Sequence, residues 1–132
     1  MEKKKFSKGD FICRENTPGS DMYVILKGKV GVYKTIDAEK IALGVLHPGD
    51  FCGEMCLLLN CDRTASLVVL EDTEALILHK DSLLKKIQED PRFALNMIHR
   101  LAKRLKDAQG VISRIEGEKK SLEIMFGASE SH

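Results

Sequence analysis

A chain of 132 residues with 43% hydrophobic and 31% charged residues is one domain's worth of protein with enough Leu, Ile and Val to bury a core, which excludes whole-chain disorder. Its 21 basic and 20 acidic residues leave a formal charge of +1, so no global field draws it to nucleic acid or an anionic membrane, and any anion must be held by a local site. The longest apolar runs, Leu57–Leu59 and Leu67–Leu70, are too short to span a bilayer, and no apolar stretch follows Lys3-Lys4-Lys5, so neither a transmembrane helix nor a secretion signal is expected.

In chain order, short apolar or alternating runs predict strands near Asp10–Arg14, Met22–Lys27, Lys29–Thr35, Ile41–Leu46, Ser66–Leu70 and Glu74–His79. Turn signals separate them at Asn16-Thr17-Pro18-Gly19-Ser20, Lys27-Gly28, Asp37-Ala38-Glu39 and His47-Pro48-Gly49-Asp50. Many short strands with glycine at the turns suggest an antiparallel barrel or jelly roll. Gly31 falls inside a strand, where it marks either a close backbone approach or a poorly packed position.

Near residue 80 the texture turns helical. Asp81 is an N-cap candidate for a first helix, and Asp90-Pro91 opens a second, proline being tolerated in a first turn. Ala94, Ile98, Leu101, Leu105, Ala108, Ile112 and Ile115 then step by 4, 3, 4, 3, 4 and 3. That heptad seam is longer than a small barrel needs for its own packing. Either one long helix lies along the barrel, or Ile98, Leu101, Leu105, Ala108, Ile112 and Ile115 pair with their copies in a parallel homodimer. Gly110 inside the seam costs about 1 kcal/mol against alanine and marks a packing accommodation or a bend. The chain thus reads as mainly β with flanking helices: a barrel over residues 1–80, helices over 81–118 and a tail over 119–132.

One stretch, about residues 51–66, departs from barrel texture. Phe51-Cys52-Gly53-Glu54-Met55-Cys56 runs into a short apolar turn of helix, and Asp62-Arg63-Thr64-Ala65 returns to strand. A glycine before a short helix leaves the first N–H groups pointing outward, ready for an anion. Arg63 returns at the other end with the Thr64 hydroxyl beside it, so a phosphate would find backbone, guanidinium and hydroxyl donors together. Glu54 repels a phosphate but suits a neighbouring hydroxyl-bearing group such as a ribose. On spacing alone, a simple Glu54–Arg63 ion pair sealing the barrel is the more ordinary reading, because such pairs are common.

The four cysteines, Cys13, Cys52, Cys56 and Cys61, form no Cys-x-x-Cys pair, so reduced thiols filling small core positions of a cytoplasmic protein are expected. The alternative is a redox or metal sensor, because Cys52, Cys56 and Cys61 lie close in sequence and thiolates hold zinc or an iron–sulfur cluster. His47, His79, His99 and His132 show no nucleophile or metal spacing, so no catalytic activity, metal or cofactor is expected.

From Phe6 to about Ile115 the chain resembles the cyclic nucleotide-binding domain family, as in Crp/Fnr-type regulators and the regulatory modules of cyclic-nucleotide-dependent kinases. Three blocks carry the likeness in the right order. Phe6-Ser7-Lys8-Gly9-Asp10 with Arg14-Glu15-Asn16 is similar to the family's opening, and Pro18-Gly19-Ser20-Asp21-Met22-Tyr23 to Lys27-Gly28 is similar to its second block. Pro48-Gly49-Asp50-Phe51-Cys52-Gly53-Glu54 followed by Arg63-Thr64-Ala65 resembles its phosphate-binding cassette.

The resemblance implies a double-stranded β-helix, or jelly-roll, barrel followed by a long C-terminal helix, with cAMP or cGMP in the cassette. It assigns Arg63 to the charged phosphate oxygens, Thr64 to a side-chain contact, Glu54 to the ribose 2′-hydroxyl, and the backbone of Gly53, Met55 and Ala65 to the phosphate lining. It also implies an Arg104–Glu54 link. Bacterial cAMP-responsive relatives place a Thr-Ser pair on the long helix against adenine; here Ala108-Gln109 stands there, and of the two only Gln109 reads a base edge. Asp62 replaces a proline common in relatives, and Thr64 is compatible with either base. A Crp/Fnr transcription factor continues into a helix-turn-helix module; no basic recognition helix follows here, so direct DNA binding by this chain is not expected. The function implied is a sensor that relays ligand binding to a dimerising helix. Ala108-Gln109 keeps open a ligand-free module for dimerisation or partner docking.

Overall fold

The computed structural model describes residues 2–125, with side chains described through residue 110. Within those residues six strands pair antiparallel throughout: β1 (Glu2–Phe6), β2 (Phe11–Cys13), β3 (Met22–Ile36), β4 (Glu39–Leu46), β5 (Phe51–Cys52) and β6 (Ser66–Leu78). A short helix, α1 (Glu54–Leu59), interrupts the strands, and α2 (Lys80–Glu89) and α3 (Pro91–Met125) follow them.

The long β3 and β6 form the spine, paired from Met22–Leu78 to Tyr33–Ser66. β1 and β5 flank one half of that spine, at Lys3–Leu76 and Tyr23–Cys52, while β2 and β4 flank the other, at Phe11–Val68 and Val30–Leu46. Two long bent strands shared by two flanking sets make a jelly-roll barrel.

The sequence reads β3 and β6 as two strands each, broken at Gly28 and at Glu71–Thr73. In the structure each runs through, and the break becomes a register irregularity between Lys27 and Val30. There Gly28, at φ 100°, faces Thr73, and a Cβ on it would stand 2.7 Å from the Thr73 Cα. Buried Thr73 completes the join, its hydroxyl donating to the Glu71 carbonyl at 2.7 Å and accepting the Lys29 N–H at 3.2 Å. Gly31 is a close approach: a Cβ on it would lie 2.6 Å from the Tyr33 ring. β1 was not expected, because a lysine run has low strand propensity; pairing with β6 and a Lys3–Glu74 ion pair at 2.6 Å override it.

Alternation along these strands points Tyr23, Ile25, Val30, Leu46, Leu67 and Ala75 into one core, with Phe6, Ile12, Cys13, Val32, Cys52 and Ile77 packed against it. The core locks the spine that carries the loops described below.

The chain divides into two compact units, Met1–Lys86 and Ile87–His132. In the second, Pro91 stands in the first turn of α3, and the Phe93 N–H donates to the Asp90 carbonyl at 3.0 Å. α3 runs unbroken through Gly110, where a Cβ would meet nothing within 4 Å. On its described part Ile98 and Leu105 are 62% and 60% exposed, Ala108 is exposed and Leu101 half-buried. The side chains of Ile112 and Ile115, and the tail from Phe126, lie outside the described residues.

Candidate functional site

β5 delivers the chain to Gly53, whose φ of 92° and ψ of 5° lie in the left-handed region. A Cβ there would stand 2.8 Å from the Asp21 carbonyl oxygen and 2.9 Å from Arg63 Nη1, so glycine is required on both conformational and steric grounds. α1 starts on the next residue, its first N–H groups pointing out of the helix. It buries Glu54, Cys56 and Leu57 and exposes Met55, Leu58 and Leu59. The helix ends at Asn60, left-handed at φ 53°, whose N–H donates to the Cys56 carbonyl at 3.1 Å. That cap turns the chain back towards its own start.

The return places Arg63. Its N–H donates to the Thr17 carbonyl at 2.9 Å, and its carbonyl accepts the Asn16 N–H at 2.8 Å, so the backbone is stitched to the loop before β3. The side chain is 5% exposed. Nη1 donates to the Asp21 carbonyl at 2.6 Å, Nη2 to the Tyr23 hydroxyl at 3.1 Å, and the guanidinium sits 5.1 Å from the Tyr23 ring centroid. A Cβ on Gly19 would overlap the same guanidinium. Two glycines, a carbonyl and a phenol thus cradle a buried cation, and the hydrogen bonds described for it run to neutral oxygens rather than across the loop to Glu54. A buried guanidinium held this way keeps its charge available for an anion.

Glu54 is 8% exposed at the start of α1 and its Oε2 is shielded from solvent. Met55 contributes first-turn backbone while its side chain is 48% exposed. Thr64 is exposed, and Ala65 is half-buried, its carbonyl accepting from Cys13 Sγ at 3.8 Å. Asp62 is exposed. Arg104 and Gln109 are carried by α3, in the second unit.

Burial pushes the Cys56 thiol up, opposed by the Arg63 charge, with neighbouring Cys61 adding to the rise. Burial likewise raises the Cys13 thiol and the Tyr23 phenol, again against Arg63. The four cysteines are free. Among the described residues no three His, Cys, Asp or Glu side chains converge as a metal site. Thiols raised by burial stay protonated at neutral pH and are poor metal ligands and nucleophiles.

Sequence reasoning missed Gly19, Asp21 and Tyr23 as parts of the site. Gly19 and Asp21 look like turn residues and Tyr23 like a core aromatic. Only the approach of Arg63, forty residues or more along the chain, gives them this role.

A family model described as the cyclic nucleotide-binding domain matches residues 3–90. The chain belongs to this family. This cyclic nucleotide-binding domain is 34% identical over 109 residues to the cyclic AMP receptor protein of Thermus thermophilus, covering 82% of this chain and 50% of that protein. It therefore spans about half the length of that curated relative. The crystal structure of the Thermus thermophilus catabolite activator protein superposes with a TM-score of 0.78 at 32% identity, covering 87% of this chain and 55% of that one. The regulatory domain of Toxoplasma gondii PKA, solved with cAMP, gives a TM-score of 0.60 at 28% identity over 64% of this chain and 32% of that one. The domain is a cyclic nucleotide-binding regulatory domain of this kind, and among its described residues no helix is long and apolar enough to cross a membrane.

Proposed function

We propose that this domain is a cytoplasmic sensor that binds cAMP or cGMP in the cassette and relays occupancy to α3, through which two copies pair. The observation that carries this reading is buried Arg63, cradled on Gly19 and Gly53 and facing neutral oxygens. A cyclic phosphate supplies an anion that suits such a cation. Its exocyclic oxygens would take the Arg63 donors, the Thr64 hydroxyl and the backbone of Gly53, Met55 and Ala65, while Glu54 accepts from the ribose 2′-hydroxyl. The names of the relatives favour cAMP as ligand.

Resemblance, not geometry, assigns Arg104 to the Glu54 end of the nucleotide and Gln109 to the base. The exposed seam residues Ile98 and Leu105 support pairing of α3 with its copy, with Leu101, Ala108, Ile112 and Ile115 continuing the same stripe. Ligand contacts shift α3 only if they differ between two arrangements of the helix. No catalytic step and no DNA contact by this chain enters the reading.

The test is isothermal titration with cAMP and cGMP, with Arg63→Ala alongside. Saturable binding by the wild type is expected, and Arg63→Ala is expected to lose about 2–5 kcal/mol of it. Unchanged affinity in that variant would remove the cassette assignment, and the cAMP/cGMP ratio of the wild type identifies the preferred base.

A further inference from the structure

Asp21 immediately precedes β3 and His79 immediately follows β6; because Met22 pairs with Leu78, the two residues face each other just beyond the ends of the spine. His79 Nδ1 meets Asp21 Oδ1 as an ion pair when the imidazole is protonated. That oxygen is itself shielded from water, although the side chains as wholes are 27% exposed for Asp21 and 58% for His79. At its other end Asp21 presents its carbonyl to Arg63 Nη1 at 2.6 Å, and the same carbonyl is the atom nearest to a Cβ on Gly53. The His79 carbonyl in turn accepts the Leu83 N–H at 2.8 Å, the hydrogen bond that opens α2.

The carbonyl that anchors Arg63 therefore belongs to the peptide joining Asp21 to Met22, the first residue of the ladder, and follows Pro18-Gly19-Ser20, where backbone freedom is high. Sheet pairing holds the Met22 side of that peptide, and a second contact is available on the Asp21 side. The contact at hand is the side chain of the same residue, tethered to the start of α2.

We propose that Asp21 and His79 are positioning residues for the phosphate site: their side-chain contact fixes the Asp21 carbonyl on which Arg63 Nη1 rests and ties that anchor to the root of α2. Neither residue touches the ligand. The proposal rests on the cassette reading above and deepens it.

The experiment measures cAMP and cGMP affinity by titration, together with melting temperature, for wild type, Asp21→Asn, His79→Leu, His79→Lys, Asp21→Asn/His79→Leu and His79→Leu/Arg63→Ala. His79→Leu and Asp21→Asn are each expected to weaken binding about fivefold, the upper end for a partly exposed pair. Combining them adds no further loss, and His79→Lys, which keeps an N–H donor opposite Asp21, recovers most of it. Arg63→Ala costs less in the His79→Leu background than in the wild type, which is the signature of acting through Arg63. A purely structural role would lower the melting temperature without that coupling. Unchanged affinity in folded His79→Leu and Asp21→Asn, or losses that add fully to Arg63→Ala, would overturn the proposal while leaving the cassette in place. A wild type that binds neither nucleotide would overturn both.

Discussion

Gly53 and Gly9 offer a controlled comparison, because their φ angles are almost the same and their surroundings are not. Gly53 has φ +92° and Gly9 φ +93°, yet a Cβ on Gly9 meets nothing within 4 Å, whereas one on Gly53 meets the Asp21 carbonyl at 2.8 Å and Arg63 Nη1 at 2.9 Å. Gly9→Ala therefore carries only the cost of placing an L side chain in the left-handed region, about 1–2 kcal/mol of stability. Gly53→Ala carries the same cost plus a collision that cannot be relieved at the carbonyl, which is backbone. Relief must come from Arg63, so the guanidinium leaves its rest on Asp21. We expect Gly53→Ala to be less stable than Gly9→Ala by about 1–3 kcal/mol, the scale of overpacking a tight site. We also expect it to bind cyclic nucleotide at least about tenfold more weakly, one lost charge-assisted contact. Gly9→Ala should bind like the wild type. Urea denaturation and calorimetric titration of the two variants side by side check this. Equal stabilities and equal affinities would refute the claim that Gly53 is packed against the phosphate-binding arginine.

Two further outcomes are expected. Leu105→Glu, placed on the exposed seam of α3, should abolish self-association, because burying one leucine from each copy supplies roughly 3 kcal/mol or more to the pair; sedimentation equilibrium showing wild type and variant to be equally dimeric would exclude this seam as the interface. Stability should also fall on the alkaline side. Burial raises Cys13, Cys56 and Tyr23 in the folded state, so the native protein holds protons that the unfolded chain releases. That stability is fully present below 9.0, the ordinary thiol value, and is lost as pH rises beyond it, with the phenol adding its share above 10.0. Urea midpoints that stayed level or rose through this range would contradict the burial of these groups.

Much of the barrel was legible in the chain. Alternation at Met22–Lys27, glycines at the turns and the change of texture before α2 locate the strands of the spine and the start of the helices. What alternation does not reveal is continuity. Gly28 looks like a turn, yet Thr73 opposite it carries hydrogen bonds across the irregularity, so β3 and β6 continue through positions that read as breaks. β1 was hidden for the converse reason: Glu2–Phe6 has the composition of a solvated terminus and becomes a strand only because β6 offers it an edge.

The cassette divides along the same line. Gly53 before a short helix, Glu54 at its start and Arg63 after its cap are local patterns, and the sequence alone determines them because each is set by neighbours a few residues away. The alternative of a Glu54–Arg63 seal was open at that level, since spacing does not say which oxygens a guanidinium meets. Only the tertiary structure decides that. Asp21 and Tyr23 reach Arg63 from 42 and 40 residues away, and they do so because β5 pairs with β3 at Tyr23–Cys52 and the Arg63 backbone bonds to Asn16 and Thr17 in the loop that leads into β3. Short-range pattern selects the chemical groups; long-range pairing decides which of them touch, because contacts between distant segments depend on the packed whole and not on any one stretch of chain.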